Sequence, residues 1–201
     1  MNARIYTIGH SNQTLESFLL LLSGHAVGVV VDVRSTPTSK YSPQFNGATL
    51  AVSLTRSGFK YVSMGLELGG RPSTSSYYDV KHRVLYDQVA QSSAFKQGIQ
   101  RLQKGSESDT IAVMCSEEDP THCHRRLLVG RVLGEAGVQV AHIRADGSLQ
   151  TEAELARLEQ ATEREPQLAL FESPGEYRAW RSAKPIPSAS RKDAPRTSSR
   201  R

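Results

Sequence analysis

The chain has 201 residues, of which 38% are hydrophobic and 22% are charged, and its formal net charge is +5. This length is enough for one domain that buries a sizeable core without disulfide bonds. No apolar run of about eighteen residues is present, and the first residues do not have the pattern of a signal peptide. We therefore expect a cytoplasmic protein that does not enter a membrane. Its two cysteines fit that compartment, where persistent disulfides are rare.

The positive charge is concentrated at the C-terminal end. Residues 1–180 contain 18 basic and 19 acidic residues, whereas residues 181–201 contain seven basic residues and one acidic residue. A segment with few apolar side chains cannot offset the entropy lost on ordering. We predict one α/β domain over residues 1–180, a basic tail over 181–201 and disorder from about residue 183. The apolar residues that could still dock on the domain are residues 168–171, Tyr177 and Trp180.

Strand and helix patterns alternate along the domain. In chain order they predict a strand over 4–9, a helix over 14–25, a strand over 27–33, a loop over 35–44 and a helix over 48–57. They continue with a strand over 59–64, a loop over 66–76, a helical pattern over 79–103 that breaks near Ser92, and a strand over 110–115. The last elements are a helix over 120–135, a strand over 138–143 and a helix over 152–164. This alternation predicts a three-layer α/β sandwich around a mostly parallel, doubly wound sheet of about five strands.

Polar, titratable and glycine residues gather just after the predicted strands. In an open α/β sheet, ligands bind outside the carboxyl ends of the strands, so these residues predict a site at that edge. The residues are Gly9, His10 and Ser11 after the first strand, Asp32 and Arg34 at the second, Gly69, Gly70 and Arg71 after the third, and Cys115, Glu117, Cys123, His124 and Arg125 after the fourth.

The stretch from Cys115 to Arg125 is the most informative of these. Asp119 and Pro120 predict a helix start, which would place Cys123 and His124 in the first turn, where anions and thiolates are favoured. The cluster could be a metal half-site, a redox couple, a nucleophile beside a histidine base, or two small buried side chains. The local spacing supplies too few ligands for a closed zinc site, so we expect no permanently bound metal and no cofactor.

The motifs together resemble a known family. TIGHS near the start, DVR followed by serine and proline, LGG-R-P, and C-x-E-x-x-P-x-x-C-H-R followed by a strand ending in HI are similar to the family named domain of unknown function 488. The resemblance runs over about residues 4–145. It implies a cytosolic bacterial α/β domain with a polar site and no agreed activity, and it does not extend to the basic tail.

Each candidate residue has a functional and a structural interpretation. His10 would be a general acid or base, or a histidine bonded to nearby backbone. Asp32 would be a catalytic carboxylate oriented by Arg34, or one half of a salt bridge. Glu117 would supply a second carboxylate. Phosphate or carboxylate groups of a substrate would be held by Gly9, Ser11, Arg34, Gly69, Gly70, Arg71 and Arg125.

Three functions fit this pattern. The first is an enzyme that uses acid–base chemistry on a nucleotide, nucleic acid or phosphorylated small molecule, for example hydrolysis of a base–sugar glycosidic bond. The second is a metal-binding or thiol redox protein that uses Cys115, Cys123 and His124. The third is a non-catalytic nucleic-acid-binding module that depends on the tail. The sequence has no P-loop, dinucleotide fingerprint or nucleophile elbow, and it predicts no oligomeric state.

Overall fold

The computed structural model describes residues 4–164 and 180–186, and its centre is a six-stranded sheet. The strands are β1 (Arg4–Gly9), β2 (Val29–Asp32), β3 (Lys60–Ser63), β4 (Ile111–Cys115), β5 (Gln139–Ile143) and β6 (Leu149–Thr151). Their order is β3-β2-β4-β1-β5-β6, with the first five strands parallel and β6 antiparallel to β5. The mostly parallel sheet is confirmed. The sequence did not predict β6, because its three residues have no apolar run.

The strand register aligns the carboxyl ends of the central strands. Gly9 at the end of β1 pairs with Cys115 at the end of β4, and Asp32 at the end of β2 pairs with Met114. Residues that follow these strands therefore emerge at the same edge of the sheet. We call this the carboxyl edge.

Helices cover both faces of the sheet and make the predicted sandwich. They are α1 (Leu15–Gly24), α2 (Gly47–Arg56), α3 (Gly65–Leu68), α4 (Tyr86–Gln91), α5 (Ser93–Gly105), α6 (Arg131–Glu135) and α7 (Glu152–Arg164). One core contains Phe18 of α1 and Leu50 of α2, and the other contains Phe95 of α5 and Leu133 of α6. The break near Ser92 is confirmed, because its side chain accepts a hydrogen bond from the Phe95 backbone N–H and begins α5.

The segment predicted as one helix over residues 120–135 has a different structure. Pro120–His122 form a single 3₁₀ turn capped by Asp119, and Cys123 is extended. The Cys123 carbonyl then accepts from the backbone N–H groups of Arg126 and Leu127, so the longer helix begins after it. A π-helical turn, Arg125–Gly130, leads into α6. Cys123 therefore caps the helix rather than lying in its first turn, because proline and aspartate start the short turn first.

Residues 180–186 pack on the domain. Trp180 donates from Nε1 to the Leu127 carbonyl at 2.6 Å, and the Ser182 hydroxyl accepts from the Val84 N–H at 2.9 Å. The Ile186 N–H donates to the His82 carbonyl at 2.8 Å. The domain thus extends past the predicted boundary at residue 180, and residues 183–186, which we expected to be disordered, have defined positions. The predictions for residues 168–171, Tyr177 and residues 187–201 lie outside the described residues.

No helix in residues 4–164 or 180–186 combines the length and the hydropathy that crossing a membrane requires.

Candidate functional site

The carboxyl edge brings most of the predicted site residues together. The His10 N–H donates to the Cys115 carbonyl at 3.0 Å, and Arg34 reaches His10 from the end of β2. His124 contacts both the end of β2 and the thiol of Cys115. His10, Arg34, Cys115 and His124 are thus connected by contacts, although they lie far apart in the sequence. Most of these side chains are buried, whereas Glu117 and Arg71 are exposed.

Asp32 and Arg34 are buried, and together with the half-buried Tyr61 they form a fully paired group. Arg34 Nε and Nη2 donate to the two Asp32 carboxylate oxygens at 2.9 and 2.6 Å, and the Tyr61 hydroxyl donates to the same carboxylate at 2.8 Å. Arg34 also donates to the Phe45 carbonyl. Burial and the Asp32 charge raise the pKa of Tyr61, which keeps it a donor. Sequence reasoning missed Tyr61, because it lies inside β3 rather than after it.

His10 uses both of its ring nitrogens within this group. Nδ1 lies 2.8 Å from the Ser11 carbonyl and must donate to it, so Nε2 accepts from Arg34 Nη1 at 3.0 Å. The ring stacks on Phe45 with centroids 4.3 Å apart. Burial lowers the pKa of His10 to about 4, although the bond to Ser11 opposes this. His10 is therefore a neutral, occupied histidine in this structure, and no lone pair is left for a substrate.

Cys115, Cys123 and His124 form a compact cluster. The Cys115 Sγ lies 3.7 Å from His124 Nδ1, the Cys123 Sγ lies 4.0 Å from it, and all three ligand atoms lie within 4.8 Å of one another. His124 Nε2 is 3.0 Å from the Val33 carbonyl and must donate to it. The remaining lone pair is then on Nδ1, which faces the two sulfurs. The Val33 carbonyl thus fixes the tautomer in which the ring can act as a base or a ligand.

The two thiols have different proton affinities. A hydrogen bond from Cys123 lowers the pKa of Cys115, and the buried charge of Arg125 adds to this effect. Burial raises the pKa of Cys123 well above its usual range. Cys115 is therefore the thiol of the pair that becomes a thiolate more readily, with Cys123 as its hydrogen-bond donor.

Three predicted ligand-binding glycines make room for other parts of the protein. A Cβ atom on Gly9 would lie 1.8 Å from the Glu117 carbonyl oxygen, and one on Gly69 would lie 2.2 Å from the Gly65 carbonyl oxygen. A Cβ atom on Gly70 would lie 2.6 Å from His124 Cγ. These glycines let the loop after β4 pack against β1 and the loop after β3 pack against the His124 ring. They shape the site and do not leave space for a ligand.

Arg125 holds the loop that carries Glu117. Its side chain is fully buried and donates to the backbone carbonyls of Glu117 and Glu118 and to the Thr7 hydroxyl. These bonds use its donors inside the protein, so Arg125 positions the loop in this structure rather than contacting a substrate. Ser11 is half-buried and has a backbone φ of 46°, and the Arg71 N–H donates to the Ser35 hydroxyl at 2.9 Å.

A second buried network extends from Arg125 to α7. Thr7 accepts from Arg125 and donates to His142 Nδ1 at 2.7 Å, and His142 Nε2 donates to Glu152 at 2.8 Å. Arg126 Nε forms an ion pair with the Glu152 carboxylate at 3.0 Å. Burial lowers the pKa of His142, although Glu152 opposes this. Sequence reasoning assigned no role to His142, because a histidine inside a strand gives no signal of its partners.

A groove of about 810 Å³ lies away from the cysteine cluster, between the β5–β6 hairpin and α7. The ion pair between Glu118 and Arg144, at 2.8 Å, forms one wall, and Leu149 and Leu158 contribute apolar surface. None of the three cluster residues lines this groove. The groove and the cluster are separate features of the carboxyl edge.

Comparison with known proteins identifies the family. No curated protein and no solved structure matches the chain. The family model described as Domain of unknown function DUF488 matches residues 14–132, more than half of the chain. This range contains the DVR, LGG-R-P and C-x-E-x-x-P-x-x-C-H-R motifs, whereas TIGHS and the HI strand end lie outside it. The chain therefore belongs to the family of domain of unknown function DUF488.

Proposed function

We propose that the protein is a hydrolase whose centre is a thiophilic metal ion, such as Zn²⁺, held by Cys115, Cys123 and His124. The observation that carries this proposal is the orientation of His124. Its Nε2 donates to the Val33 carbonyl, so Nδ1 points at two sulfur atoms. A metal-binding histidine commonly donates its other ring N–H to a carbonyl or carboxylate in this way. The proposal departs from our expectation that no metal is bound.

The distances fit a tetrahedral ion. With Zn–S bonds of about 2.3 Å and Zn–N bonds of about 2.0–2.1 Å, a sulfur and a nitrogen on one tetrahedron are about 3.6 Å apart. The two Sγ–Nδ1 distances of 3.7 and 4.0 Å are only slightly longer. Two thiolates and one imidazole also favour zinc or another soft ion over magnesium or calcium. The long sequence gap between Cys115 and Cys123 is closed by the 3₁₀ turn, which sequence spacing does not show.

The number of ligands favours a reactive site over a structural one. Structural zinc sites have four protein ligands, whereas catalytic sites have three and leave one position for water or substrate. The cluster has three members among the described residues. A metal ion in such a site brings the pKa of bound water close to neutrality. Glu117, exposed and two residues after Cys115, is the carboxylate we assign as the general base.

The hypothesis that His10 and Asp32 are the catalytic acid–base residues has less support. Each polar atom of these two side chains has a protein partner, and both side chains are buried. We propose that they hold the ends of β1 and β2 in place beside the cluster. Nucleotide or nucleic-acid hydrolysis remains part of the proposal, with the reacting groups moved to the cluster and Glu117.

Metal binding is tested on the purified full chain. After dialysis against Zn²⁺ we expect one bound zinc per chain, and Co²⁺ in its place should give the intense visible absorption of a tetrahedral thiolate site. Cys115→Ser, Cys123→Ser and His124→Gln should each lose the metal. His122→Gln is the matched control, because His122 is exposed and two positions from His124.

Folding is checked by circular dichroism and thermal melts of the metal-free proteins. A wild-type chain that binds no zinc, or a His122→Gln variant that loses it equally, would contradict the proposal. Activity is then assayed on nucleotides and oligonucleotides with Glu117→Gln, which should keep the metal and lose turnover.

One observation favours a second candidate function, which is thiol redox chemistry. The Sγ atoms of Cys115 and Cys123 lie within 4.8 Å of each other, and the lowered pKa of Cys115 is typical of a thiol that reacts with disulfides. In this reading a substrate disulfide is reduced while Cys115 and Cys123 form a disulfide. Activity in the presence of a chelator distinguishes the two functions. A thiol redox protein is active without metal and stays active when a chelator is added, whereas the metal-dependent hydrolase loses its activity.

A further inference from the structure

The π-helical turn Arg125–Gly130 leaves one backbone carbonyl without its usual partner. In a regular α-helix the Leu127 carbonyl would accept from the Arg131 N–H, four residues later. Here the Arg131 N–H donates instead to the carbonyls of Arg126 and Leu128. A carbonyl without a hydrogen bond in a packed region costs free energy. The turn therefore needs a donor for Leu127 from another part of the chain.

Trp180 supplies this donor. Its indole Nε1–H donates to the Leu127 carbonyl, with a nitrogen–oxygen distance of 2.6 Å. We call residues 180–186 the strap. The strap is attached to the domain at a second point, where the Ser182 hydroxyl accepts from the Val84 N–H at 2.9 Å. The indole N–H is thus held at the place where the π-helical turn departs from regular hydrogen bonding.

The same turn is bonded to two of the three ligands of the proposed metal site. The Cys123 carbonyl accepts from the Leu127 N–H at 3.0 Å, so Leu127 contacts Cys123 through its N–H and Trp180 through its carbonyl. His124 follows Cys123 and immediately precedes the π-helical turn. A single residue, Leu127, therefore links the strap to the segment that carries the ligands.

A change of the π-helical turn into a regular α-helix would move these ligands. The helix α6, which follows the turn, is anchored in the core by the fully buried Leu133, so the residues before the turn would have to shift. One residue of α-helix corresponds to a rotation of about 100° and a rise of about 1.5 Å. Such a shift would break the 3.0 Å contact between His124 Nε2 and the Val33 carbonyl, which orients Nδ1 towards the sulfurs.

We propose that Trp180 is a positioning residue of the metal site, because its bond to the Leu127 carbonyl keeps the π-helical turn in the form that presents Cys123 and His124 to the ion. The inference rests on the proposed function, since it adds a residue to the site described there. π-Helical turns are frequent at functional sites, where they change the direction of neighbouring side chains. The strap thus supports a site that it does not itself contact.

The test compares the zinc affinity of variants of the full chain, measured by competition with a chromophoric chelator. Trp180→Phe keeps an aromatic ring and removes the N–H donor. It should weaken zinc binding about tenfold, the lower end of the usual loss when a group that supports a metal ligand is removed.

The matched control is Ser182→Ala. It removes another hydrogen bond of the same strap, to the Val84 N–H, and leaves the bond between Trp180 and Leu127 in place. This variant should bind zinc like wild type. A control that weakens zinc binding as much as Trp180→Phe would overturn the inference, because general loosening of the strap would then explain the effect.

The Co²⁺ spectrum distinguishes positioning of the ligands from a loss of stability. Circular dichroism first establishes that both variants are folded at the temperature of the measurement. At saturating Co²⁺, the visible bands of Trp180→Phe should differ in position and intensity from those of wild type, because His124 is held differently. Ser182→Ala should give the wild-type spectrum. A folded Trp180→Phe variant with the affinity and the spectrum of wild type would overturn the inference.

Zinc binding by the wild-type chain separates this result from the proposed function. If the wild type binds one zinc and Trp180→Phe binds it equally well, the metal site stands and only the role of Trp180 is wrong. If the wild type binds no zinc, the proposed function and the role of Trp180 are both wrong.

Discussion

His10 shows how a titratable residue at the right edge of a sheet can be structural. It is 3% exposed, both ring nitrogens are bonded, and the guanidinium of Arg34 stands at its Nε2. A proton on Nε2 would face a positive charge in a buried site. Folding therefore favours the neutral ring, and the pKa of His10 is about 4 instead of 6.5.

This difference predicts how stability depends on pH. Between pH 6.5 and 4 the unfolded chain binds a proton at His10 and the folded chain does not, so stability falls as pH decreases through this window. At pH 7 the contribution is complete, and about 3 kcal/mol is lost by pH 4. His10→Gln, whose amide can keep both hydrogen bonds, should lack this part of the dependence. Urea unfolding of both proteins at pH 7 and pH 4 measures the loss of stability between the two pH values. An equal loss in wild type and His10→Gln would show that His10 is not responsible.

Individual site residues differ in how well the sequence predicts them. Cys115 ends β4 and Cys123 and His124 follow it, so the expectation that site residues gather at strand ends identifies all three. Tyr61 and His142 lie within strands, and their importance comes from partners far away in sequence. Single-sequence patterns contain no information on such contacts. The same limit applies to the Val33 carbonyl, which orients His124.

At the level of elements, α3 and the loop after it determine whether His124 can keep its orientation. Gly70 packs on the imidazole ring, and its missing Cβ is what allows the contact. Gly70→Ala should push the ring away from the sulfurs. We expect a loss of about 1–3 kcal/mol in stability, typical of overpacking, and zinc affinity weakened about 10- to 100-fold, typical of a disturbed supporting contact.

Gly134→Ala is the control for this prediction. A Cβ at Gly134 meets nothing within 4 Å, and the residue lies inside α6, where alanine is favoured over glycine. It should be neutral or slightly stabilising, with zinc affinity unchanged. Isothermal titration with zinc and thermal melts give both quantities. If Gly70→Ala bound zinc as tightly as Gly134→Ala, the loop would not support the site.

The sequence predicts helices and strands well where the apolar pattern is long. It predicts them less well where a short turn interrupts the pattern. The five parallel strands and the break at Ser92 follow from apolar runs and a capping serine. Residues 120–135 contain two helix starts instead of one. Asp119 and Pro120 start a 3₁₀ turn, and Cys123 starts a second helix. The π-helical turn that follows makes Arg125 and Arg126 both point inward, which no helical period predicts.

For the whole molecule, the segment around Trp180 packs on the core that contains Phe95 and Leu133. Its indole packs against Tyr86 with ring centroids 6.4 Å apart and lies under the Arg131 guanidinium, 4.3 Å from the ring centroid. Composition predicts disorder only from about residue 183, and Trp180 is one of the apolar residues that could still dock on the domain. The contacts come from the helices near Leu127 and from the turn at Val84.

Trp180→Ala should therefore lower the free energy of unfolding by about 2–4 kcal/mol, somewhat less than for a fully buried tryptophan, because the indole is only partly buried. Trp180→Phe should cost about 1 kcal/mol, since it keeps a ring beside Tyr86 and loses the hydrogen bond to the Leu127 carbonyl. Chemical unfolding of both variants of the full chain measures the difference. If Trp180→Ala unfolded like wild type, residues 180–186 would lie on the domain without stabilising it.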